Sequence, residues 1–509
     1  MYNKVLSGTL HGVEGRIITV EADVSDGLPV FNMVGFLASE VREASDRVRS
    51  ALRNSGFCLA PKKITINLSP ADVRKEGSVF DLSIAIAVLA SYGYISQELI
   101  AETLFLGELA LNGDIRTIRG TLPIVDYAKK HNIKKIIVPY SNRKEASFIS
   151  GLEIYGADNL KQVFEHLVGE KEMTKESPIE WNNEREEEFD VDFSDVKGQQ
   201  MLKRATEIAV AGMHNILFVG PPGAGKSMVA KRIPTIMPAL SYEESVEITK
   251  IYSASGLVQP EEGLMKRRPF RTPHHSITAQ ALIGGGNVPK PGEVSLAHRG
   301  VLFLDEFLEF QKDIIEMMRQ PIEDGKITIA RLQGSYTFPC EFMLIAATNP
   351  CPCGYYPDLS RCKCNQLQIR RYLKKISGPM LDRMDMNISV KKMEHKDLFD
   401  ERLEETSACI RERILRAHNI QINRLRPYHL LYNAQIPANL IDIFCGFEKK
   451  ENQLKEELFR KYDLSARGIL KILKVARTIA DLDASERVTC DHLWEAFTYR
   501  LDFVGGEMR

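Results

Sequence analysis

The sequence predicts an α/β protein with a helical C-terminal region, and three observations support this fold class. Residues 1–168 alternate short β-type runs with helical stretches, residues 194–395 place short buried strands between helices, and residues 396–509 look helical throughout. At roughly 150 residues per domain, a chain of 509 residues is expected to form about three domains. Its 44% apolar and 27% charged residues exclude collagen-like, mucin-like and wholly disordered proteins.

The first region is an α/β unit without a glycine-rich phosphate loop. Its apolar patterns predict strands and helices, with strands at 16–24, 62–70 and 134–140 and helices at 39–56 and 79–93. Residues 169–193 follow with ten acidic and three basic residues, so we interpret them as an exposed acidic linker. The net charge of −1 conceals this asymmetry and decides nothing about a nucleic-acid partner.

The N-terminus lacks the pattern of a secretory signal peptide. The longest apolar run, residues 82–90, is far shorter than the roughly 18 residues that a membrane span requires. We therefore expect a soluble, cytoplasmic protein with no membrane partner. In a reducing compartment, scattered cysteines are expected to behave as small buried hydrophobic residues.

The most specific motif follows the predicted strand at 215–219 and precedes a helical stretch. It matches the spacing G-x-x-x-x-G-K-[ST], hereafter the P-loop, with residues Gly220, Pro221, Pro222, Gly223, Ala224, Gly225, Lys226 and Ser227. Glycines let backbone N–H groups point at phosphate oxygens, where side chains would clash. Lys226 is predicted to reach the β- and γ-phosphates of ATP, and the Ser227 hydroxyl to ligate Mg²⁺. The flanking strand and helix argue against a chance glycine-rich turn.

Two further predicted strands end in polar residues. Residues 301–304 precede Asp305 and Glu306, and ligands of open α/β sheets bind at such carboxyl ends. Asp305 is predicted to hold Mg²⁺ and Glu306 to activate the attacking water as general base. Asn349 ends the strand 342–348 and is suited to orienting water or the γ-phosphate. By itself Asn349 would be an ordinary turn former, so its assignment depends on the other two motifs.

Together these three strand ends resemble those of AAA+ ATPases. The segments 268–276, 284–306, 346–354 and 377–385 are similar to the magnesium-chelatase-like branch, and within it to the YifB/ComM group. The resemblance extends over nearly the whole chain. It implies an AAA+ core, an N-terminal domain resembling the protease domain of Lon, and a C-terminal helical lid, with boundaries at 1–168, 169–193, 194–395 and 396–509.

The resemblance also implies two arginines that act on phosphate. Arg383 matches the arginine finger, which reaches the γ-phosphate bound by a neighbouring subunit, and Arg467 matches the sensor-2 arginine of the lid. Without the resemblance, a surface salt bridge and an exposed helix start are the simpler interpretations. The family further implies a ring, expected to be a homo-hexamer.

Two inserts typical of this branch are predicted to contact DNA. One spans about 258–298 and, with its flank, carries Lys266, Arg267, Arg268, Arg271, Lys290 and Arg299. The other spans 326–342 and is predicted to be a hairpin turning at 333–335, with Arg331 near its tip as a candidate phosphate contact. A surface β-ribbon with solvated arginines is the alternative.

Four cysteines fall within fourteen positions: Cys351, Cys353, Cys362 and Cys364. Four thiolates suit tetrahedral Zn²⁺, although two C-x-C pairs depart from the common C-x2-C spacing. We expect a structural metal, most simply Zn²⁺, rather than a disulfide or redox site. Basic residues accompany the cluster, so this loop is also a candidate contact for nucleic acid or for the next subunit; they are Arg361, Lys363, Arg370 and Arg371.

The resemblance to Lon covers about residues 20–145. Lon uses a Ser nucleophile with a Lys base, but the corresponding positions here are near Val79 and Leu122, with Ser78 one place off. We therefore expect no peptidase activity, and a scaffold or binding role for this domain.

The leading hypothesis is an ATP-hydrolysing ring motor on DNA, driving branch migration in recombination or natural transformation as the resemblance implies. Its cofactors would be ATP and Mg²⁺, with a structural Zn²⁺. The alternative is a protein-remodelling ATPase of the magnesium-chelatase type.

Overall fold

The computed structural model describes residues 1–179, 181, 189–258, 263–331, 334–392, 404–462 and 464–500. Within these ranges the chain forms two large β-sheets and three two-stranded sheets with helices around them, followed by a helical C-terminal region. No helix in the described ranges is both long enough and apolar enough to cross a membrane.

The N-terminal region is built on a seven-stranded mixed sheet of order β3-β4-β2-β1-β5-β8-β9. Its strands are β1 (Tyr2–His11), β2 (Glu14–Ser25), β3 (Val30–Val34), β4 (Lys63–Ser69), β5 (Thr103–Phe105), β8 (Lys135–Pro139) and β9 (Glu153–Ala157), and a separate short hairpin contains β6 (Glu108–Leu109) and β7 (Ile115–Arg116). The helices are Ser39–Arg42, Ala44–Asn54, Asp81–Ser91, Gln97–Ile100, Thr121–Lys130, Arg143–Ser147 and Leu160–Leu167. Helix Asp81–Ser91 is buried on every side, as expected for a helix that is apolar all round.

The predicted acidic linker is not exposed along its whole length. Lys175 forms a β-bridge with Tyr155, Met173 is buried, and the Trp181 ring packs edge-on against Tyr242. Residues 180 and 182–188, which hold much of the negative charge, lie outside the described residues. The first part of the stretch is therefore part of the folded surface, because its few apolar side chains have partners.

The second sheet has five parallel strands in the order β11-β14-β17-β10-β18. Strands of this region are β10 (Ile216–Val219), β11 (Phe270–Arg271), β12 (Gly284–Gly285), β13 (Lys290–Pro291), β14 (Val301–Leu304), β15 (Lys326–Arg331), β16 (Gly334–Pro339), β17 (Met343–Thr348) and β18 (Met386–Ser389). Helices are Gln200–Gly212, Lys226–Arg232, Tyr242–Ser255, Ala279–Ile283, Glu293–Leu296, Lys312–Met317, Arg319–Asp324, Gln366–Leu373 and Gly378–Leu381. Strands β10, β14 and β17 are buried throughout, as the sequence predicts for parallel strands covered on both faces.

The C-terminal region contains the helices Ser407–Leu425, Ala438–Cys445, Lys449–Lys461, Ala466–Leu482 and Cys490–Thr498. Helix Ala466–Leu482 packs against Gln200–Gly212 of the sheet region, and its apolar residues Ile472, Leu473, Ala476 and Ile479 are buried. The predicted domain boundaries stay predictions, but each of the three regions has the class of secondary structure that the sequence indicates.

Candidate nucleotide site and its surroundings

The P-loop connects β10 to the helix Lys226–Arg232. Gly223 and Gly225 have φ angles of +74° and +89°, and a Cβ built at either position meets no heavy atom within 4 Å. Only glycine adopts such angles at no steric cost, so the backbone itself forms the inner surface of the loop. This arrangement suits phosphate binding by backbone N–H groups.

Lys226 is almost completely buried between the P-loop and the end of β17. Its Nζ donates to the carbonyl oxygens of Gly220 at 2.5 Å and Pro221 at 3.0 Å, and to Asn349 Oδ1 at 3.2 Å. Burial lowers the pKa of Lys226, and the negative charge of Asp305 opposes that shift. The ammonium group thus joins two of the three predicted motifs.

The third motif joins the same cluster through Ser227. The Ser227 hydroxyl donates to Asp305 Oδ2 at 2.6 Å, and Asp305 Oδ1 accepts from the backbone N–H of Glu306 at 2.9 Å. A hydroxyl and a carboxylate oxygen are ligands that Mg²⁺ prefers, so this pair fits the predicted metal position. Glu306 has a φ angle of +49° and a side chain that is 57% exposed. The structure therefore brings Lys226, Ser227, Asp305 and Asn349 together, with Glu306 beside them.

Arg383 and Arg467 lie at the amino ends of the strands of the same sheet, which we call its amino edge. The P-loop lies at their carboxyl ends, the carboxyl edge. In the parallel register Ile216 pairs with Met386 and Val219 with Ser389, so Arg383 precedes the amino end of β18 whereas the P-loop follows the carboxyl end of β10. Both arginines contact Glu323 Oε1, Arg383 at 2.5 Å and Arg467 at 3.8 Å. The hydrogen bond from Arg383 lowers the pKa of Glu323, and Arg467 adds to the shift.

The two arginines differ in accessibility. Only 6% of the Arg383 side chain is exposed and its Nε has no hydrogen-bond partner among the described residues, while 64% of the Arg467 side chain is exposed. Glu323 was not recognised in the sequence as part of this site, because nothing in its local pattern links it to residues 60 and 144 positions away.

The four clustered cysteines lie close together, with all their Sγ atoms within 4.8 Å of one another. Cys351 Sγ is 3.4 Å from Cys353 Sγ and 3.8 Å from Cys362 Sγ, and the last two are 3.6 Å apart. Tetrahedral Zn²⁺ with bonds of about 2.3 Å separates its sulfur ligands by about 3.8 Å. The separations among Cys351, Cys353 and Cys362 are therefore close to those around Zn²⁺, and Cys364 lies near enough to be the fourth ligand.

The cysteine loop also contacts the P-loop. A Cβ built on Gly354 would lie 2.6 Å from Pro222 Cδ, and the φ angle of Gly354 is +84°. Glycine is therefore required at this contact for space and for backbone conformation. The loop also begins two residues after Asn349, so it is tied to the nucleotide site at two places.

The predicted basic surface of the first insert is mostly neutralised over the residues described, which corrects the sequence interpretation. Arg268 is buried and bound to Glu244, Arg271 is paired with Glu293, and Arg299 contacts Glu247 and Glu341. Lys266 and Arg267 also have partners. Lys290 is exposed. Sequence counting could not show this, because the acidic partners lie up to 52 residues away along the chain.

The second insert is a hairpin of β15 and β16, but its turn differs from the predicted one. Arg331 pairs with Gly334 and Ala330 with Ser335, so 334–335 belong to a strand; residues 332–333 lie outside the described residues. Arg331 is exposed and its Nε donates to the Gly286 carbonyl at 3.2 Å. The His11 ring stacks on Tyr336 with centroids 4.5 Å apart, so the N-terminal region touches this hairpin.

The Lon-like positions of the N-terminal region lie in the core. Val79 is 8% exposed and Leu122 is fully buried. Ser78 donates to Glu108, and the buried Lys75 donates to the Pro70 carbonyl. Ser78 and Lys75 therefore each form a hydrogen bond with a neighbouring group of the same domain.

One residue beside the site was missed by sequence reasoning. His275 Nδ1 lies 3.2 Å from Glu306 Oε2. Its segment was noted only as part of a family motif, because β11 has two residues and is too short for a periodic signal.

Three family profiles match separate parts of the chain. "Magnesium chelatase, subunit ChlI" matches residues 192–398, "Subunit ChlI of Mg-chelatase" matches 20–142, and "Magnesium chelatase, subunit ChlI C-terminal" matches 404–500. The first covers the whole five-stranded sheet.

Proteins similar over the full length are also known. The chain is 40% identical over 505 residues to competence protein ComM of Haemophilus influenzae, covering 97% of both proteins. It is 41% identical over 493 residues to the uncharacterized protein YifB of Escherichia coli K12, covering 96% of this chain and 95% of that protein. Lon protease 2 of Bacillus subtilis is 26% identical over 232 residues, 39% of this chain and 40% of that protein. With three matching profiles and two full-length relatives, the chain belongs to the magnesium-chelatase-like AAA+ proteins of the YifB/ComM group.

Proposed function

We propose that this protein is an ATP-hydrolysing ring motor that acts on DNA and drives branch migration in recombination or natural transformation. The observation that carries the proposal is the convergence of Lys226, Ser227, Asp305 and Asn349 at one edge of a parallel sheet. Three separate strand ends supply these groups, and such an arrangement is suited to phosphoryl transfer from a nucleotide.

Each group then has a role in hydrolysis. Residues 220–227 bind the phosphates through their backbone N–H groups, and Lys226 contacts the β- and γ-phosphates. Ser227 and Asp305 hold Mg²⁺, which neutralises charge on the phosphates when bound. Glu306 accepts the proton of the attacking water, and Asn349 orients that water.

The position of Arg383 and Arg467 supports a ring. Both lie at the sheet edge opposite the P-loop, so a single chain cannot bring them to its own γ-phosphate. In a ring, the amino edge of one subunit faces the nucleotide of the next. Glu323 holds both arginines in position, and a cation supplied in trans stabilises the charge of the transition state. We propose a homo-hexamer.

The DNA contact is better supported at the cysteine loop than at the first insert. Residues with basic side chains are exposed on the loop and on helix Gln366–Leu373: Arg361, Lys363, Arg370 and Arg371. The exposed Arg331 and Lys290 add to this set. The relative named competence protein ComM supports a role in transformation.

We also propose a structural Zn²⁺ held by Cys351, Cys353, Cys362 and Cys364, and a cytoplasmic location.

The test is an ATPase and strand-displacement assay with a four-way DNA junction. We expect branched DNA to stimulate hydrolysis, and the affinity for DNA to fall steeply with salt because phosphate contacts release counterions. The triple variant Lys363→Ala, Arg370→Ala, Arg371→Ala should weaken binding and reduce the salt dependence. Arg460→Ala, at an exposed arginine of the C-terminal region, is the matched control. Hydrolysis that ignores DNA, with no strand displacement, contradicts the DNA role.

The second candidate is a protein-remodelling ATPase. The match to magnesium chelatase profiles favours it, because those profiles describe a subunit of an enzyme that is not defined by DNA. ATP-dependent changes in a client protein, with salt-independent and weak DNA binding, would select this candidate.

For the N-terminal domain we propose a scaffold role without peptidase activity, which a casein degradation assay checks.

A further inference from the structure

The hairpin of β15 and β16 is a two-stranded sheet of its own, not joined to the five-stranded sheet. Its side chains alternate between an exposed and a buried face, and the buried face consists of Ile327, Ile329, Tyr336 and Phe338. A two-stranded hairpin by itself is at best marginally stable in water. The orientation of this hairpin therefore depends on the groups that cover its buried face.

The N-terminal region supplies part of that cover through the turn between β1 and β2. The half-buried His11 ring stacks on Tyr336, and His11 Nε2 lies 3.2 Å from the Ser335 carbonyl oxygen, which accepts when that nitrogen carries the proton. Val13 is buried in the same apolar cluster as the four hairpin side chains. Between them Gly12 has a φ angle of +68°, which a two-residue turn of this kind requires of its first residue. The tip of the β1–β2 hairpin thus lies against the ATPase hairpin.

A second N-terminal segment lies near the same hairpin. Burial raises the pKa of Tyr336, the negative charge of Glu76 adds to the shift, and the positive charge of Arg74 opposes it. Arg74 Nε and Glu76 Oε1 are 3.0 Å apart, so the two charges form an ion pair. This segment leads to Val79, the position that corresponds to the Lon nucleophile. The surroundings of the former nucleophile position therefore face the hairpin.

The N-terminal region is also attached to the helix Tyr242–Ser255. The buried Ser253 hydroxyl donates to Glu145 Oε1 at 2.6 Å, and Lys250 forms an ion pair with Asp126. Attachment at two separate elements restricts rotation of the N-terminal sheet against the ATPase region. The turn that contacts the hairpin is accordingly a fixed support, and β1 and β2 connect it to the centre of the seven-stranded sheet.

The supported part of the hairpin is the part that carries Arg331. Arg331 pairs with Gly334, and the next residue, Ser335, is the one whose carbonyl lies beside His11. Arg331 is exposed, and it is the candidate phosphate contact on this hairpin. A displacement of the strand at Ser335 would therefore displace the arginine as well.

We propose that the N-terminal domain holds the β15–β16 hairpin in the orientation in which Arg331 contacts DNA, with His11 as the positioning residue. This inference rests on the proposed DNA function and states what the proposed scaffold domain supports. It requires no contact between His11 and DNA. A hairpin that transmits force to DNA needs a rigid body behind it, and the N-terminal sheet provides one.

The experiment measures the Kd of the full chain for a fluorescent four-way DNA junction, and the ATPase rate with and without that junction. The variants are His11→Ala, His11→Phe, Arg331→Ala and the double variant His11→Ala/Arg331→Ala. His131→Ala is the matched control, because the exposed His131 also stacks on a tyrosine, Tyr127, and also contacts a backbone carbonyl, but entirely within the N-terminal region.

We expect His11→Ala to raise the Kd about 2- to 10-fold, the factor that a stacked ring pair contributes. Stimulation of the ATPase by the junction should fall, whereas the rate without DNA and the Tm should match those of His131→Ala. His11→Phe keeps the stacked ring and should retain most of the affinity. In the Arg331→Ala background His11→Ala should cost nothing further, because the contact that it positions is already absent. Hydrogen exchange of the β15 and β16 amides should be faster in His11→Ala.

A Kd of His11→Ala equal to that of His131→Ala overturns the proposal. It is equally overturned if Arg331→Ala leaves the Kd unchanged, or if the two losses add fully in the double variant. A drop in Tm and in the DNA-free ATPase rate that accompanies the loss of affinity indicates a purely structural role, and also overturns it. Failure of the DNA function has a different signature, since the wild type itself would then neither bind the junction nor respond to it.

Discussion

The carboxyl and amino ends of the strands of the five-stranded sheet carry two separate clusters of candidate site residues. At the carboxyl edge Lys226, Ser227, Asp305 and Asn349 contact one another within one chain. At the amino edge Arg383 and Arg467 contact Glu323 instead. Because all five strands are parallel, the two sets face opposite ways. The difference supports the proposal that the nucleotide pocket is assembled within one chain, whereas Arg383 and Arg467 act on the nucleotide of a neighbouring subunit.

The distance between the edges follows from strand geometry. The four residues of β10 span roughly 13 Å at about 3.3 Å per residue, and the arginines lie beyond the amino end. An arginine side chain is too short to reach from beyond the amino ends of the strands to the P-loop at their carboxyl ends.

Replacing Lys226 by Ala at the carboxyl edge should abolish hydrolysis, with a loss of more than about 100-fold, because the group that contacts the transferred phosphate is removed. Phosphate release is the measurement. The fold should persist, since Lys226 is bound by only three acceptors among the described residues and lies outside the helical lid. Activity that survived the substitution would contradict the P-loop assignment.

Replacing Arg383 by Ala at the amino edge should lower kcat by about 10³, the low end of the range for arginine fingers. The comparison is tested by mixing Arg383→Ala with Lys226→Ala subunits. Each chain keeps one intact edge, so mixed rings should regain activity at interfaces that join the two intact edges. No recovery on mixing, in rings shown to contain both variants, would mean that Arg383 does not act in trans. Arg460→Ala is the matched control.

Acid should destabilise the protein in part through His214, which precedes β10 at the amino edge. Burial lowers the pKa of His214 to about 4, against 6.5 for the free side chain, and its Nε2 lies 2.8 Å from Thr478 Oγ1 of the lid. Between these values the unfolded chain binds a proton that the native chain does not. Stability is therefore full above pH 6.5 and falls as the pH drops toward 4, by at most about 2 kcal/mol at pH 5.

The measurement is urea unfolding at pH 7 and pH 5, followed by the lid signal of Trp494. His214→Gln should show a smaller pH dependence than the wild type. An equal dependence in both proteins would assign the acid sensitivity to other groups.

The smallest effect is expected from the cysteine loop. Removing the metal with a chelator, or replacing Cys362 and Cys364 by Ser, should weaken ATP binding about threefold to tenfold, because Gly354 would lose its fixed contact with Pro222. Metal analysis should find one Zn²⁺ per wild-type chain and none in the variant. The exposed Cys409→Ser is the control. Unchanged ATP affinity in a metal-free protein would separate the loop from the nucleotide site.

Contiguous sequence motifs identified residues that the structure brings together, and the functions assigned to those residues stay predictions. The P-loop spacing, the acidic pair after β14 and the clustered cysteines are local patterns that depend only on neighbours along the chain. The sequence was a poorer guide to the net charge of the surface formed by the first insert. Arg268, Arg271 and Arg299 were counted as a basic face, but Glu244, Glu293 and Glu247 neutralise them.

By itself the sequence determined the α/β class, the family, the three strand ends and the cluster of four cysteines, because hydrophobic periodicity and motif spacing depend only on neighbours along the chain. Only the tertiary structure decided that β18 lies beside β10, that Arg383 and Arg467 share Glu323, and that His275 reaches Glu306. These contacts depend on strand order and register. The packing of whole elements sets both, and no local pattern encodes either.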